Sequence, residues 1–366
     1  MGNEPAPAVT PGRRRRVILA DPPWRTAGRV VLLLVSVVVF IFALQLMQAG
    51  AGAIEPLVRT TLEVSNAANA LGFGWILAYV LLSGSPAAAI ALALLEEGAL
   101  SSIETYMMIA GSRLGASLFV LLVGSYYVWR GSERLRGLTI GVLSLVVVAT
   151  IQIPALGVGY LILRTGVLDG FSYRFTALDT IDRISRPVID RIDGALPEEA
   201  VFILGVLTIL LAFRLLDYSL PQFRAEGDGI DTLPTMLYRG WVMFLLGMAV
   251  TLVTLSVSVS LGILVPLSAK GLIRRENLIP YIMGCNITTY IDTLVIAMLF
   301  DDPAGPVTVL AAMVSNLAVS AAVLMFWSSG YQSRINQAVD WTLESRRHLL
   351  LFATLMLGIP LILLVI

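Results

Sequence analysis

Long apolar runs alternate with short polar breaks along this chain. The runs Val30 to Ala49, Leu138 to Leu163, Ala200 to Leu216, Val307 to Trp327 and Leu349 to Ile366 reach or approach the ~20 residues that a helix needs to cross a bilayer, and each predicts such a helix. The stretches 66–129 and 239–300 are also apolar, but serine, glycine, proline and charge interrupt them. The first run follows Arg13, Arg14, Arg15, Arg16, Arg25 and Arg29 and is longer than the usual core of a secretory signal peptide, so it predicts a retained first span. With 57% hydrophobic and 14% charged residues, the chain is too apolar for a soluble core of its size and reads as an all-α polytopic membrane protein whose first partner is the lipid bilayer.

The formal net charge is zero, but the charge is segregated, and its distribution sets orientation. Arginines at 13–16, at Arg130, Arg134 and Arg136, and at Arg334, Arg346 and Arg347 predict cytoplasmic loops, a cytoplasmic N-terminus and insertion in the plasma (inner) membrane. Asp301 and Asp302 belong to the opposite face. The segment 164–199 carries seven carboxylates and five arginines with Pro187 and Pro197, and predicts a small non-cytoplasmic excursion. The divisions are then a basic tail at 1–29, a first transmembrane repeat at 30–163, the polar linker at 164–199, a second repeat at 200–327, and a polar segment with a C-terminal helix at 328–366. The arginine block fits orientation and anionic lipid rather than nucleic acid. Cys285 and His348 are each alone, which excludes an intrachain disulfide and argues against a histidine zinc site or a histidine-dependent triad within the chain. No nucleophile with a base emerges from the spacings, so no enzymatic activity and no organic cofactor are expected.

Shifting the chain against itself by 173 residues aligns two stretches without gaps. Over 81–118 eight identities result: Leu82, Ser83, Ser85, Ile90, Leu94, Gly98, Ile109 and Gly111 face Leu255, Ser256, Ser258, Ile263, Leu267, Gly271, Ile282 and Gly284. The same shift carries the first apolar run onto 203–222 and the one at 138 onto 311. The turn at Glu96, Glu97 and Gly98 is acidic, whereas its equivalent carries Lys270, Arg274 and Arg275, so the two turns are expected on opposite faces. The expectation is two inverted-topology repeats, each with a re-entrant hairpin and a broken transmembrane helix.

In the first repeat the apolar arm 67–82 stops at Ser83, Gly84, Ser85 and Pro86, and a nine-residue arm follows. Nine helical residues cover only ~13 Å, about half of the hydrocarbon core, which predicts a hairpin with its tip at mid-membrane. Ser85 suits the cap of the second arm and Pro86 its first position. The next crossing, Ser102 to Trp129, is expected to break at Gly111, Ser112, Arg113, Leu114 and Gly115. In the second repeat the tip holds Ser256, Ser258 and Ser260, and the break holds Gly284, Cys285, Asn286, Thr288 and Thr289. Serines on alternate positions share a face only in extended backbone. Hydroxyls and free carbonyls gathered there suit a sodium ion, and exposed N–H groups suit an anion. Against these stand plainer roles: membrane serines bonding their own i−4 carbonyl, Gly98 and Gly271 as turn glycines, and Gly111 and Gly284 as points of close helix packing.

Arg113 is a cation at mid-membrane depth with no partner evident in the sequence. It could draw an anionic substrate, stand as a tethered charge where a sodium ion would sit, or snorkel to an interface. Asp292, Glu63 and Glu104 are further near-membrane carboxylates, with helix-end exposure expected for the last two; Gln45, Gln48 and Gln152 suit interhelical hydrogen bonds.

The serine tips, followed about two dozen residues later by Gly284, Asn286 and Thr289, resemble the type II sodium/phosphate cotransporter family, whose repeats each carry Gln-Ser-Ser-Ser and then Gly-Ala-Asn-Ile-Gly-Thr-Thr. The likeness covers roughly 66–129 and 239–300. It departs from the family at Leu82 and Leu255 for the glutamines, at Gly84 and Val257 for the middle serines, and at Arg113 for the first asparagine. The resemblance implies binding of ion or substrate by Ser83, Ser85, Ser256 and Ser258, with Asn286, Thr288 and Thr289 nearby, and sodium at Ser83, Ser256 and Asn286. It implies a secondary active transporter that couples sodium to uptake of a small inorganic anion such as phosphate. The alternative class is a transport-inactive or regulatory membrane protein, or a transporter of another solute, on the same scaffold. The spacings are silent on oligomeric state.

Overall fold

The computed structural model describes residues 23–61, 64–129, 136–171, 179–219, 239–254 and 275–366, together with Val257, Ser260, Leu261 and Ile273. Among them the structure is helical throughout, without strands. The α-helices are α1 (Pro23–Pro56), α2 (Ala67–Leu81), α3 (Gly84–Glu96), α4 (Ser102–Trp129), α5 (Arg136–Thr165), α6 (Asp179–Asp193), α7 (Glu198–Ser219), α8 (Gly240–Thr254), α9 (Arg275–Thr288), α10 (Tyr290–Ala297), α11 (Ala304–Phe326), α12 (Ser328–Glu344) and α13 (Arg346–Val365). Among the described residues five stretches are long and apolar enough to cross a bilayer: Ala27–Thr60, Leu138–Thr165, Glu198–Ser219, Ala304–Phe326 and Arg346–Val365. They coincide with the five apolar runs, and the chain is an integral membrane protein on that ground. The basic block at 13–16, Glu63, Ser256, Ser258, Lys270 and Gly271 lie outside the described residues.

Side-chain caps fix two helix starts. Asn66 accepts from the N–H groups of Ala68 and Asn69 at 2.8 and 2.9 Å and opens α2, and Ser345 accepts from His348 N–H at 3.2 Å and opens α13. Glu104 sits in the first turn of α4, but its expected exposure is corrected: its carboxylate is buried, holding the Ser101 N–H at 2.8 Å and pairing with Arg59 at 3.3 Å.

Direct backbone approach governs the helix pairs. α1 and α7 lie antiparallel, with Gly50 against Phe202, Gly205 against Met47, and the Phe40 and Phe213 rings edge to face at 5.5 Å. α2 and α4 run parallel: a Cβ on Gly74 would strike the Met108 backbone, and one on Gly111 the Leu71 carbonyl. α8 and α9 repeat this arrangement, Gly247 meeting the Tyr281 backbone and Gly284 the Phe244 carbonyl. Each of these four contacts recurs at the 173-residue shift, and the pairs α2 and α8, and the starts of α4 and α9, are related by the same number. α13 lies antiparallel over α2, where Asn69 donates to the Leu363 and Leu364 carbonyls at 3.2 and 3.1 Å and Tyr79 to the Met356 carbonyl at 2.8 Å.

α11 serves as a ruler, since 23 helical residues extend ~34 Å. At its N-terminal end the Glu96 carboxylate accepts from the Asp301 and Asp302 N–H groups at 3.1 and 2.8 Å, and Ser102, the first residue of α4, lines a cavity of about 450 Å³ with Pro303 and Val307. At its C-terminal end Gly240, the first residue of α8, sits against Pro280 of α9, Leu324 and Ser328. α4 and α9 therefore start at opposite ends of α11 and run in opposite directions along it.

The chain reverses between α2 and α3 at Leu82, in the left-handed region at φ 51°, and Ser83, which is extended. The tip lies level with the middle of α4: a Cβ on Gly84 would be 3.0 Å from both the Ala116 Cβ and the Ser112 carbonyl. Two local expectations are corrected here. α3 starts at Gly84 rather than Pro86, with Ser83 at the cap position and no side-chain capping bond, and Ser85, the expected cap, bonds Asp292 instead. α4 passes through Gly111–Gly115 without a break, since those glycines admit the α2 backbone instead of unwinding the helix. In the second half the interruption shrinks to Thr289, between α9 and α10. Gly98 takes its turn at φ 72°, as expected for a turn glycine.

Candidate functional site

The hairpin tip brings Ser85 to the first turn of α10, an element of the second half. Its hydroxyl donates to Asp292 Oδ2. Asp292 Oδ1 accepts from the Thr293 N–H at 2.6 Å and from the Thr293 hydroxyl at 3.0 Å. The short helix α10 makes this possible, because the interruption at Thr289 starts a new first turn in which Asp292 sits.

Arg113 reaches the same carboxylate from α4. Its Nη2 is 3.7 Å from Asp292 Oδ1 and donates to the Thr293 hydroxyl, and its guanidinium carbon lies 4.8 Å from the centre of the Tyr290 ring. The side chain is 9% exposed. Arg113 stands 11 residues into α4, ~16 Å along a helix, which is about half of a hydrocarbon core. The snorkelling alternative does not occur, and the partner that the sequence left open is Asp292.

Behind the pair a polar chain crosses two more helices. The Tyr290 hydroxyl donates to Gln152 Oε1 of α5 at 3.2 Å and accepts from Asn316 Nδ2 of α11 at 3.2 Å, while Asn316 also donates to the Ala312 carbonyl at 2.9 Å. Among the described residues two buried donors in this cluster have no partner: Arg113 Nε and Gln152 Nε2. A buried donor left unmade costs about 1–3 kcal/mol, so both are open to an acceptor brought in from outside the chain. Arginine matches such an acceptor well when it is a compact oxyanion, because its N–H groups form a planar fork.

The described hydroxyls of the second half that the sequence singled out bond within that half. The buried Ser260 hydroxyl accepts from the Thr251 hydroxyl at 2.9 Å and lies 2.8 Å from the Tyr281 hydroxyl and 3.3 Å from Cys285 Sγ. Thr288 donates to the Met248 and Gly284 carbonyls, both at 3.2 Å, and Thr289 to the Asn286 carbonyl at 2.7 Å. Those three hydroxyls are committed to bonds within the second half. Asn286 and Ser83 are half-buried, and among the described residues neither side chain hydrogen-bonds the Arg113 pair.

Of the residues singled out in the sequence, the structure thus gathers Ser85 and Arg113, and adds Asp292, Thr293, Tyr290, Gln152 and Asn316. Asp292 and Gln152 stood out in the sequence only for their polarity. Asn316 carried the same signal, an amide inside an apolar run. Gln48 likewise crosses between helices, donating to Glu96 Oε1 at 3.2 Å. Among the described residues no three of His, Cys, Asp and Glu are gathered for a metal ion. Compared with protein-family models, with characterised proteins and with solved structures, the chain has no match.

Proposed function

We propose that the chain is a secondary active transporter for a small oxyanion, inorganic phosphate being the first candidate, and that Arg113 binds the substrate at mid-membrane. In this reading the protein is inserted in the inner membrane with a cytoplasmic N-terminus. The two halves are inverted repeats, and α2 with α3 forms a re-entrant hairpin entering from the non-cytoplasmic face. The observation that carries the reading is the buried ion pair between Arg113 and Asp292. It joins one half to the other at the hairpin tip, at mid-helix depth, with a guanidinium N–H unpaired beside it. A buried pair of this kind is poor evidence of stabilisation, because desolvation offsets the attraction, and intramembrane charges generally mark a pathway. The opposite directions of α4 and α9 and the recurrence of the glycine contacts at 173 residues support the inverted arrangement.

A transport-inactive scaffold is favoured by one feature, the commitment of Ser260, Thr288 and Thr289 to bonds within the second half. Uptake of radiolabelled phosphate into proteoliposomes separates the two. The transporter reading expects accumulation driven by a cation gradient, and its loss in Arg113→Gln with insertion unchanged. No exchange or uptake of phosphate, sulfate or a carboxylate under any gradient supports the inactive scaffold.

A further inference from the structure

We infer that the coupling ion is a proton carried on Asp292, an inference that rests on the transporter reading above. The argument is one of charge. Arg113 and Asp292 form a neutral pair in a place where an uncompensated ion is expensive. An oxyanion on Arg113 would leave the site with a net negative charge, because Asp292 is already there. A proton on Asp292 restores neutrality: the carboxylate becomes a carboxylic acid, its pair with the guanidinium dissolves, and the single positive charge passes to the anion. Release of the anion on the far side reverses the step, with the proton leaving Asp292 as the Arg113 pair re-forms.

The surroundings fit a proton better than a metal cation. Asp292 is the sole carboxylate among the described residues that contacts this cluster, and its oxygens are already met by Ser85, by the backbone and hydroxyl of Thr293, and by Arg113. A sodium ion would have to enter beside a guanidinium; a proton needs no added volume. Ser85 is suited to both states, since its hydroxyl donates to the carboxylate and can accept from the acid.

Few other charges face the carboxylate. From α3 there is Ser85, the only titratable residue of that helix being Glu96 at its far end, bound to the Asp301 and Asp302 N–H groups. From α4 there are Arg113 and, farther toward the helix start, Tyr106, which donates to the Ala155 carbonyl. α11 carries no titratable residue. From α9, Tyr281 and Cys285 are held in the Ser260 cluster and Glu276 lies at the start of the helix. On α10 itself Tyr290 is bonded to Gln152. The pair also lacks a counterpart under the 173-residue shift, where Asn286 and Phe119 stand in place of Arg113 and Asp292, so it is not part of the packing shared by the two halves.

The test uses the full chain in sodium-free proteoliposomes with the membrane potential clamped. Wild type should accumulate labelled phosphate when the outside is acidic, up to about tenfold per pH unit for one proton per cycle. Asp292→Asn should still exchange internal for external phosphate but lose the pH-driven accumulation, and Asp292→Glu should restore it; retained exchange separates a coupling role from a structural one. Two results overturn the inference while leaving a transporter: wild-type uptake driven by sodium and indifferent to the pH gradient, or pH-driven accumulation equal in wild type and Asp292→Asn. Should Asp292→Asn not insert, wild-type uptake of sulfate, which brings no proton of its own near neutral pH, decides: alkalinisation of the outer medium on sulfate addition supports the inference, and its absence during sulfate uptake overturns it. No exchange or uptake of phosphate or sulfate in any arm overturns the transporter reading for these oxyanions, and the inference with it.

Discussion

In the first half the tip hydroxyl leaves its own helix pair: Ser85 bonds Asp292, and Arg113 follows it across. In the second half the tip hydroxyl turns inward, with Ser260 held by Thr251, Tyr281 and Cys285. The positions equivalent to those last four residues in the first half are Ala87, Ala78, Met108 and Ser112, and Ser112 merely donates to its own helix, to the Ile109 carbonyl at 2.7 Å. The helix pairs beneath the two tips are nonetheless packed alike, glycine on backbone at matching places. A scaffold set by steric contact is shared, and the polar chemistry laid on it differs between halves. Among the described residues the first half sends its tip hydroxyl and Arg113 across to Asp292 of the second half, whereas Ser260 bonds only within its own half.

The largest effect should come from splitting the pair that joins the halves. Asp292→Ala leaves Arg113 buried without its counter-charge and is expected to cost about 3–5 kcal/mol, read as a lower unfolding temperature in detergent. Replacing both, Arg113→Met with Asp292→Leu, should recover most of that loss. A double variant as unstable as the single one would mean that the pair holds the halves together rather than being carried by them.

The shared scaffold is tested next. Gly74→Val and Gly247→Val each press a side chain into a facing backbone, at Met108 and at Tyr281, and each should cost about 1–3 kcal/mol. Similar losses in both halves sharpen the comparison, and a harmless change at one position breaks it.

Hydroxyl removal should then divide the tips. Ser260→Ala is expected to lower stability by about 1 kcal/mol and leave transport unaltered, whereas Ser85→Ala should alter transport severalfold with little loss of stability. Ser36→Ala, which removes a bond to the Leu33 carbonyl at 2.7 Å in α1, serves as the control in both assays.

The smallest effect concerns the α3–α4 turn. Burial first, and then Glu96, raise the Glu97 carboxyl above its ordinary 4.5, so the folded chain favours the neutral form. The contribution to stability is present below 4.5 and lost as pH rises through the raised value. Glu97→Gln, neutral at all pH, should therefore gain stability over wild type as pH rises above 4.5, by a small amount because the group is exposed. Unfolding temperatures of both chains across pH 3–8 give the answer.

Much of this architecture could be read from residue pattern. The five long apolar runs became five helices of spanning length, because hydrophobic length alone decides that outcome. The 173-residue shift was visible in eight identities, and the structure adds a ninth pair, Gly74 with Gly247, which fell outside the compared window and whose meaning appears only when a facing backbone is seen. The break predicted at Gly111–Gly115 did not form: glycine both weakens a helix and admits a neighbour, and sequence does not say which use applies. The carboxylate partner of Arg113 was among the residues noted, but 179 positions separate the two, and a contact so distant is set by how α10 docks on the hairpin tip rather than by any local pattern.

The proposed opposed insertion of the two halves underlies the transporter reading, and single-cysteine labelling addresses it most directly. Glu97→Cys and Lys270→Cys, each in a Cys285→Ser background that keeps a donor and acceptor beside Ser260, would be treated with a membrane-impermeant thiol reagent on oriented vesicles. The account predicts that Cys at 97 reacts from the non-cytoplasmic face and Cys at 270 only from the cytoplasmic one. Reaction of both from one face would contradict the inverted arrangement, and with it the midplane site shared by the two halves.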